Sequence, residues 1–159
     1  MTSIFGNDFD RKMMGKALER ARAASKAGEV PIGALVVNAH GLIIGSGYNQ
    51  VEKYQSQAKH AEMIALTKAA RTQGDWRLEG CWLYVSLEPC LMCMGMIKLS
   101  RIAGIVFGAA SPVFGFRLDK NVTYQVYQDD TIKVIEGIEA KESMNMLQQF
   151  FQEKRKTSG

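Results

Sequence analysis

The chain has 159 residues, of which 47% are hydrophobic and 23% charged, and it carries a net charge of +4 with a pI near 9.0. These values predict one folded domain, 1–159, with a single core, and they exclude a disordered chain or a bilayer-spanning segment. Residues 1–10 lack the basic and apolar pattern of a secretory signal, so we expect a cytoplasmic protein with no membrane partner. The modest positive charge is compatible with a polyanionic partner and also with an unspecialised surface.

The first half of the chain predicts a helix, a β-hairpin and a second helix. In chain order, the predicted elements are a helix over 9–27, strands over 32–37 and 42–44 joined by a turn, a loop over 48–59, and a helix over 60–71. Asn7 or Asp8 can cap the first helix, and Gly28 can end it.

The second half predicts strands that alternate with helices. Its elements are a buried strand over 81–86, a helix after Pro89, strands over 102–107 and 132–135, and a closing helix that carries Met144, Leu147, Phe150 and Phe151. The stretch 109–130 predicts a loop. Because strands separated by helices need crossover connections, we predict an α/β fold, a three-layer α/β/α sandwich with a five-stranded mixed sheet.

Two short segments carry residues with metal chemistry. His60-Ala61-Glu62 begins the second predicted helix, and Pro89-Cys90-Leu91-Met92-Cys93 begins the third. Cysteines three residues apart can reach one zinc ion, and a helix start favours their thiolate forms. If the two helix starts lie side by side, His60 is the third ligand and one coordination position stays open. Pro89 suits the first position of a helix.

An open position distinguishes a catalytic zinc from a structural one, because a water molecule bound there ionises near pH 7. Glu62 is the candidate proton carrier. Residues two apart on a regular helix point in different directions, so His60 and Glu62 must share an irregular first turn.

A closed structural zinc site with Cys81 as fourth ligand is the alternative. If 81–87 is extended, Cys81 lies about 20 Å from the end of the strand where the site is expected. Cys81 is therefore predicted to be a small buried hydrophobic residue. His40 is predicted to be exposed in the hairpin turn.

The order His-x-Glu and then Pro-Cys-x-x-Cys is the signature of zinc nucleobase deaminases. Around it the chain resembles the bacterial tRNA adenosine deaminases of the cytidine deaminase superfamily over nearly its whole length. The supporting segments are Glu29-Val30-Pro31-Ile32-Gly33-Ala34, Gly47-Tyr48-Asn49, His60-Ala61-Glu62, Trp76-Arg77-Leu78, Leu87-Glu88-Pro89-Cys90-Leu91-Met92-Cys93, Ser100-Arg101-Ile102 and Val106-Phe107-Gly108-Ala109.

The resemblance implies a cytidine deaminase-like fold and a homodimer that converts the wobble adenosine of a tRNA anticodon stem-loop to inosine. Hydrolysis would use zinc-activated hydroxide with Glu62 as the proton shuttle. The resemblance also assigns contacts with the substrate or support of the site to further residues, namely Asn49, Val30, Pro31, Ile32 and Ala61 around the base, and Leu87 and Glu88 beside the metal cysteines.

The chain departs from the family at three places, one of which is 112–130, a region unlike the glycine-rich segment usual in the family. Many members have Asp-Pro-Thr-Ala before the metal histidine, where this chain has Ser56-Gln57-Ala58-Lys59. Many members continue with Arg-Asp after the fourth strand, at a place that contacts RNA, where this chain has Ala110-Ser111.

Other functions remain open at this point. One is a deaminase of a free base or nucleoside such as guanine, cytosine or cytidine, and another is a zinc-stabilised RNA-binding module without catalysis. The single zinc-dependent deaminase domain is expected to end in a basic tail, 152–159, in which Lys154-Arg155-Lys156 lies along the RNA or is simply solvated.

Overall fold

The computed structural model describes residues 6–118 and 132–158, which form eleven short or medium elements. In chain order they are helix α1 (Gly6–Lys26), strand β1 (Gly33–Val37), strand β2 (Ile43–Tyr48), helix α2 (Val51–Tyr54), a 3₁₀ turn (Gln57–Lys59), helix α3 (Ala61–Gln73), strand β3 (Trp82–Leu87), helix α4 (Leu91–Leu99), strand β4 (Gly104–Ala109), strand β5 (Lys133–Ile135) and helix α5 (Ala140–Thr157).

The strands form one five-stranded sheet in the order β2-β1-β3-β4-β5. β1 pairs antiparallel with both β2 and β3, whereas β3, β4 and β5 run parallel. Parallel neighbours require crossover connections, and α4 is the crossover between β3 and β4. The predicted mixed sheet is confirmed.

Helices cover both faces of the sheet and divide the core in two. α3 and α4 pack on one face against side chains such as Val36, Leu83 and Ile105. α1 packs on the other face against Leu35 and Tyr84, and α5 lies on the same side. Alternate residues of each strand point to opposite faces, and in the central strands β1, β3 and β4 both sets are buried. The predicted three-layer α/β/α architecture is confirmed.

Two glycines let α3 approach the edge strand β2 closely. A Cβ atom at Gly47 would lie 2.7 Å from the Ile64 side chain, and one at Gly45 would lie 2.3 Å from the carbonyl oxygen of Ala65. Both distances are shorter than van der Waals contact. This close packing fixes the start of α3, where His60 and Glu62 lie.

Several predicted boundaries were wrong in detail. α1 begins at Gly6, so Asn7 and Asp8 lie inside its first turn and do not cap it. The expected loop over 48–59 contains α2 and a 3₁₀ turn. Pro89 stands one residue before Cys90, which is the N-cap of α4, so it is not the first helical residue. The end of α1 at Gly28 is confirmed, because Gly28 has φ +79° after the last turn.

The last third of the chain is described on both sides of a gap. β4 extends to Ala109, turns follow over 112–118, and the rest of the predicted loop, 119–130, lies outside the described residues. α5 continues through the basic residues to Thr157. Within 6–118 and 132–158, no helix combines the length and hydrophobicity needed to cross a membrane.

Candidate metal centre and active site

The starts of α3 and α4 bring one histidine and two cysteines together. The Nδ1 atom of His60 lies 3.4 Å from Sγ of Cys93 and 3.7 Å from Sγ of Cys90. His60 is the N-cap of α3 and Cys90 is the N-cap of α4, and both have extended backbone conformations. Their side chains therefore leave the helix axis at the point where the two helix starts meet, as the sequence predicted.

The geometry of these three side chains fits a tetrahedral metal ion. Their candidate ligand atoms all lie within 4.8 Å of one another. Around an ideal tetrahedral zinc, with Zn–S near 2.3 Å and Zn–N near 2.05 Å, nitrogen and sulfur are about 3.6 Å apart. The two observed N···S distances are close to that value. One imidazole and two thiolates are also ligands that zinc prefers.

Cys81 is not a member of this group. It is almost fully buried in the core beneath α3 and α4, and its Sγ lies 3.7 Å from Oε1 of Gln73. The candidate ligand group found in the described part of the chain consists of His60, Cys90 and Cys93. The prediction that Cys81 is a buried hydrophobic residue is confirmed, and His40 is exposed in the hairpin turn.

The electrostatics of the group favour a thiolate at Cys90. The Cys93 thiol donates a hydrogen bond that lowers the pKa of Cys90 to about 4. A hydrogen bond with Cys90 raises the pKa of His60, since the charged imidazole and the thiolate stabilise each other. A thiolate is the form in which cysteine binds a metal, so this environment suits a ligand role for Cys90.

Glu62 is buried in the first turn of α3, next to the three candidate ligands. Burial raises the pKa of its carboxyl group, while a hydrogen bond with Cys93 opposes that rise. The expected irregular first turn shared by the two residues was wrong in detail, because His60 is the extended N-cap and α3 begins at Ala61. The extended backbone at His60 lets the histidine and the glutamate reach the same site.

A tight loop arrangement holds the residues expected to line the base pocket. Asn49 is buried, and its Nδ2 donates to the carbonyl oxygen of Val30 at 3.3 Å while its Oδ1 accepts from the Val51 amide at 3.4 Å. An amide side chain has two N–H groups and two acceptor lone pairs, so each end of Asn49 retains one hydrogen-bonding position. Pro31 is buried and Ile32 is half-buried next to Val30.

Ala61 is fully buried as the first residue of α3. The first amides of a helix have no partner inside the helix, so the backbone here can serve a bound molecule. Asn49 directly follows β2, and its backbone amide donates to the carbonyl oxygen of Ile32 at 3.0 Å. The residues assigned to the base therefore lie on three segments, 30–32 before β1, Asn49 after β2, and Ala61 at the start of α3.

Glu29 is a buried residue of this region whose contribution the sequence did not reveal. Its two carboxylate oxygens accept the amides of Glu52 at 2.9 Å and Lys53 at 2.8 Å. These bonds tie the start of α2 to the segment that carries Val30. Glu29 lies between Gly28 and the apolar residues that lead into β1. A charged residue at that position is the sequence feature that could have identified its role.

Glu88 links the metal cysteines to the turns after β4. Its carboxylate accepts the amides of Ser111 at 3.2 Å and Arg117 at 3.1 Å, and it forms an ion pair with the Arg117 side chain. The Phe116 amide donates to the carbonyl oxygen of Pro89. Leu87 is the last residue of β3 and pairs with Ala109. Both residues lie immediately before Pro89 and Cys90.

The side chain of Gln57 contacts His60 at the ring nitrogen that does not face the sulfurs. Its Oε1 lies 2.9 Å from Nε2 of His60, on the side of the ring opposite the sulfurs. The sequence singled out 56–59 only as a departure from the family pattern. A pairing of two side chains three residues apart in a 3₁₀ turn could not be read from spacing alone.

Comparison with known proteins finds a matching family and relatives that cover most of the chain. Residues 7–109 match the family model of the cytidine and deoxycytidylate deaminase zinc-binding region. The chain is 40% identical over 148 residues to a tRNA-specific adenosine deaminase of Bacillus subtilis, covering 92% of this chain and 91% of that protein. It is 40% identical over 150 residues to one of Haemophilus influenzae, covering 94% and 87%.

Solved structures with the same fold include two kinds of deaminase. One comes from a study of A-to-I editing by tRNA:A34 deaminases, with a TM-score of 0.76 and 33% identity over 86% of this chain and 99% of that chain. Another is a guanine deaminase from Nitrosomonas europaea, with a TM-score of 0.77 and 27% identity over 88% and 83%. The family match spans well over half of the sequence, and both metal-binding motifs lie inside it. This chain belongs to the cytidine and deoxycytidylate deaminase zinc-binding family.

Proposed function

We propose that this protein is a zinc-dependent tRNA adenosine deaminase that converts the wobble adenosine of an anticodon loop to inosine. The observation that carries the proposal is the group His60, Cys90 and Cys93 with a buried Glu62 beside it. The choice of substrate is supported by relatives named tRNA-specific adenosine deaminases that match nearly the whole chain. The unit of function is one domain, 1–159.

Zinc is the ion that we assign to the site, held by His60 Nδ1 and by the two thiolates. When bound, it would supply Lewis-acid activation of water near neutral pH. His60 lies at the start of α3 and both cysteines lie at the start of α4, so two helices hold the three ligands.

Glu62 moves the protons of the reaction. Its carboxylate takes a proton from the attacking water as the C6–O bond forms and gives it to N1 of the adenine ring. It then takes the second proton from the new C6 hydroxyl and gives it to the amino group as the C6–N bond breaks. The balance is adenosine and water to inosine and ammonia. Burial of Glu62 keeps bulk water from exchanging with the proton in transit.

The base is held by the segments before β1 and after β2. We assign hydrogen bonding of the nucleoside to the remaining donor and acceptor positions of Asn49. Val30, Pro31 and Ile32 form an apolar wall, and the backbone at Ala61 contacts the base. Leu87 and Glu88 support the metal cysteines and the turn after β4.

An anticodon loop suits this site because its bases are already unpaired. Moving an unpaired adenosine into a pocket costs less than extracting one from a duplex. The exposed end of α5, with Lys154, Arg155 and Lys156, can place positive charge along the stem. A tRNA substrate is expected in the cytoplasm, and we propose that the protein acts as a homodimer.

Deamination of free guanine is the second candidate. The fold of the Nitrosomonas europaea guanine deaminase matches this chain as closely as that of the tRNA:A34 deaminase. The metal group and Glu62 would work in the same way on a free base. The fold alone therefore does not separate the two substrates.

The deciding experiment offers the zinc-loaded protein four substrates in parallel. They are an anticodon stem-loop with a wobble adenosine, free adenosine, guanine and cytidine, with product identified by mass spectrometry and ammonia measured separately. We expect inosine in the stem-loop and little turnover of the other three. Xanthine from guanine would establish the second candidate, and absence of ammonia from every substrate would leave a non-catalytic RNA-binding module.

A Glu62→Gln variant tests the proton carrier in the same assay. It keeps the size of the side chain and should retain one zinc per chain while losing about 10²-fold or more of the turnover. Retained activity with retained zinc would refute the assigned role.

A further inference from the structure

The 3₁₀ turn before His60 has a sequence that differs from the pattern common in the family. It is built by local hydrogen bonds, since the Ser56 hydroxyl accepts the Ala58 amide and the Ser56 carbonyl oxygen accepts the Lys59 amide. This turn holds Gln57 so that its Oε1 lies 2.9 Å from Nε2 of His60. The departure from the family pattern therefore coincides with a direct contact to a candidate metal ligand.

The orientation of the imidazole decides which nitrogen carries the ring proton. Nδ1 faces the two sulfurs at 3.4 and 3.7 Å, so it is the nitrogen available to a metal. A ligating nitrogen must have a free lone pair, and a neutral imidazole keeps one N–H. The proton must then be on Nε2, which needs an acceptor.

We propose that Gln57 is a positioning residue that fixes the ring orientation and the tautomer of His60 through an Nε2–H···Oε1 hydrogen bond. Partners of this kind on the outer nitrogen of a metal-bound histidine raise metal affinity and hold the ring in place. The inference rests on the proposed metal site but not on the choice of substrate.

The surrounding loop keeps Gln57 in place even though its side chain is exposed. The Ser56 amide donates to the carbonyl oxygen of Val51, and the Gln50 amide donates to that of Lys59, which closes the loop at both ends. Glu29 holds the start of α2 within the same loop. The amide of Gln57 is thus presented to His60 by a constrained backbone.

Zinc retention is the first measurement, and it needs no substrate. The zinc-loaded protein is mixed with an excess of a chromogenic chelator, and the rate of zinc transfer is followed for the wild type and for Gln57→Ala, Gln57→Asn and Gln57→Glu. We expect the alanine and the shorter asparagine variants to lose zinc about 10-fold faster. The glutamate variant, which keeps an acceptor at the same distance, should retain zinc at least as well as the wild type.

Histidine NMR is the second measurement, and the chain is well suited to it because it contains two histidines. With ¹⁵N-labelled imidazoles, the zinc-loaded wild type should show His60 with Nδ1 bound and Nε2 protonated. Exchange of that Nε2 proton with water should accelerate in Gln57→Ala and not in Gln57→Glu. His40 is exposed in the hairpin turn and serves as the internal reference.

Gln152→Ala is the matched control, since it removes the same side chain from the exposed face of α5. The inference is overturned if Gln57→Ala loses zinc no faster than this control, if Gln57→Glu behaves like Gln57→Ala, or if the Nε2 proton exchanges at the same rate in all variants. A wild type that binds no zinc at all would instead refute the proposed metal site, so the two failures are distinguishable.

Discussion

The buried carboxylate of Glu88 offers the sharpest test of how the site is supported. Its two oxygens accept different backbone amides, Oε1 from Ser111 and Oε2 from Arg117. In a Glu88→Gln variant one of these oxygens becomes an NH₂ group. Because an NH₂ group cannot accept from an N–H, one of the two backbone amides must lose its partner.

The size of the effect follows from these contacts. A hydrogen bond to a charged group contributes about 1.5–3 kcal/mol, and the carboxylate that accepts both amides is buried. We expect Glu88→Gln to lower the free energy of unfolding by about 2 kcal/mol, which for a chain of this length lowers Tm by about 4–8 °C. The same loss should speed local opening of the turn over 111–118.

Glu136→Gln is the control that separates the effect of burying the Glu88 carboxylate from the loss of an ion pair with Arg117. Glu136 also pairs with Arg117, but it is more than half exposed, and exposed ion pairs contribute about 0–1 kcal/mol. Both variants therefore remove one carboxylate from the same arginine. Thermal unfolding and amide hydrogen exchange at Ser111 and Arg117 should separate them clearly.

The functional consequence should be a weaker substrate complex with an intact metal site. The turn that Glu88 holds is bonded to Pro89 next to the first metal cysteine. We expect a higher KM for the stem-loop in Glu88→Gln, with one zinc per chain retained. If Glu88→Gln and Glu136→Gln had equal Tm values and equal exchange rates, the reasoning about the buried carboxylate would be refuted.

Three further variants test other parts of the structure. Glu29→Gln removes one of the two oxygens that accept backbone amides of the loop after Asn49. We therefore expect KM to rise about 10-fold with zinc content unchanged, and an unaltered KM would contradict this. Tyr84→Phe removes a 2.6 Å hydrogen bond to the carboxylate of Asp10, which should cost about 1.5–3 kcal/mol in urea unfolding at pH 7. Burial raises the pKa of Tyr84, so the contribution of this hydrogen bond to the free energy of unfolding is complete below about pH 10 and is lost as pH rises above it. A stability difference between Tyr84→Phe and wild type that stays unchanged at higher pH would contradict this reasoning. Cys81→Ala should leave the zinc stoichiometry at one by metal analysis, and a loss of zinc would show that the ligand set is wrong.

The centre of the sheet was predictable because strands β1, β3 and β4 are buried on both faces. Runs such as 102–107 are almost entirely apolar, and this pattern can be recognised without knowledge of any tertiary contact. Glycine also marked the end of α1 correctly, because a positive φ at Gly28 depends on the residue itself. Apolar runs and glycine positions are local features of the sequence. They were sufficient to predict the order of the helices and strands and the three layers of the fold.

The grouping of His60, Cys90 and Cys93 was predictable for the same reason, whereas the residues that support this group were not. The spacing of Cys90 and Cys93 within one turn limits where their side chains can lie. Glu29 instead bonds amides more than twenty residues away, and Gln57 meets His60 only because a 3₁₀ turn forms where a loop was expected. Such contacts depend on the path of a loop, which spacing does not determine.

The contacts of the buried acids single out Glu62 independently of its motif. Four acidic side chains are buried in the part of the chain that the structure describes, namely Asp10, Glu29, Glu62 and Glu88. Asp10 is bonded to a tyrosine hydroxyl, and Glu29 and Glu88 are bonded to backbone amides of distant loops, so their oxygens are committed to holding the fold. Glu62 instead lies against the Cys93 sulfur and the backbone of its own helix start. Its carboxylate is therefore held beside the candidate metal ligands and not by a distant loop, as a proton carrier requires.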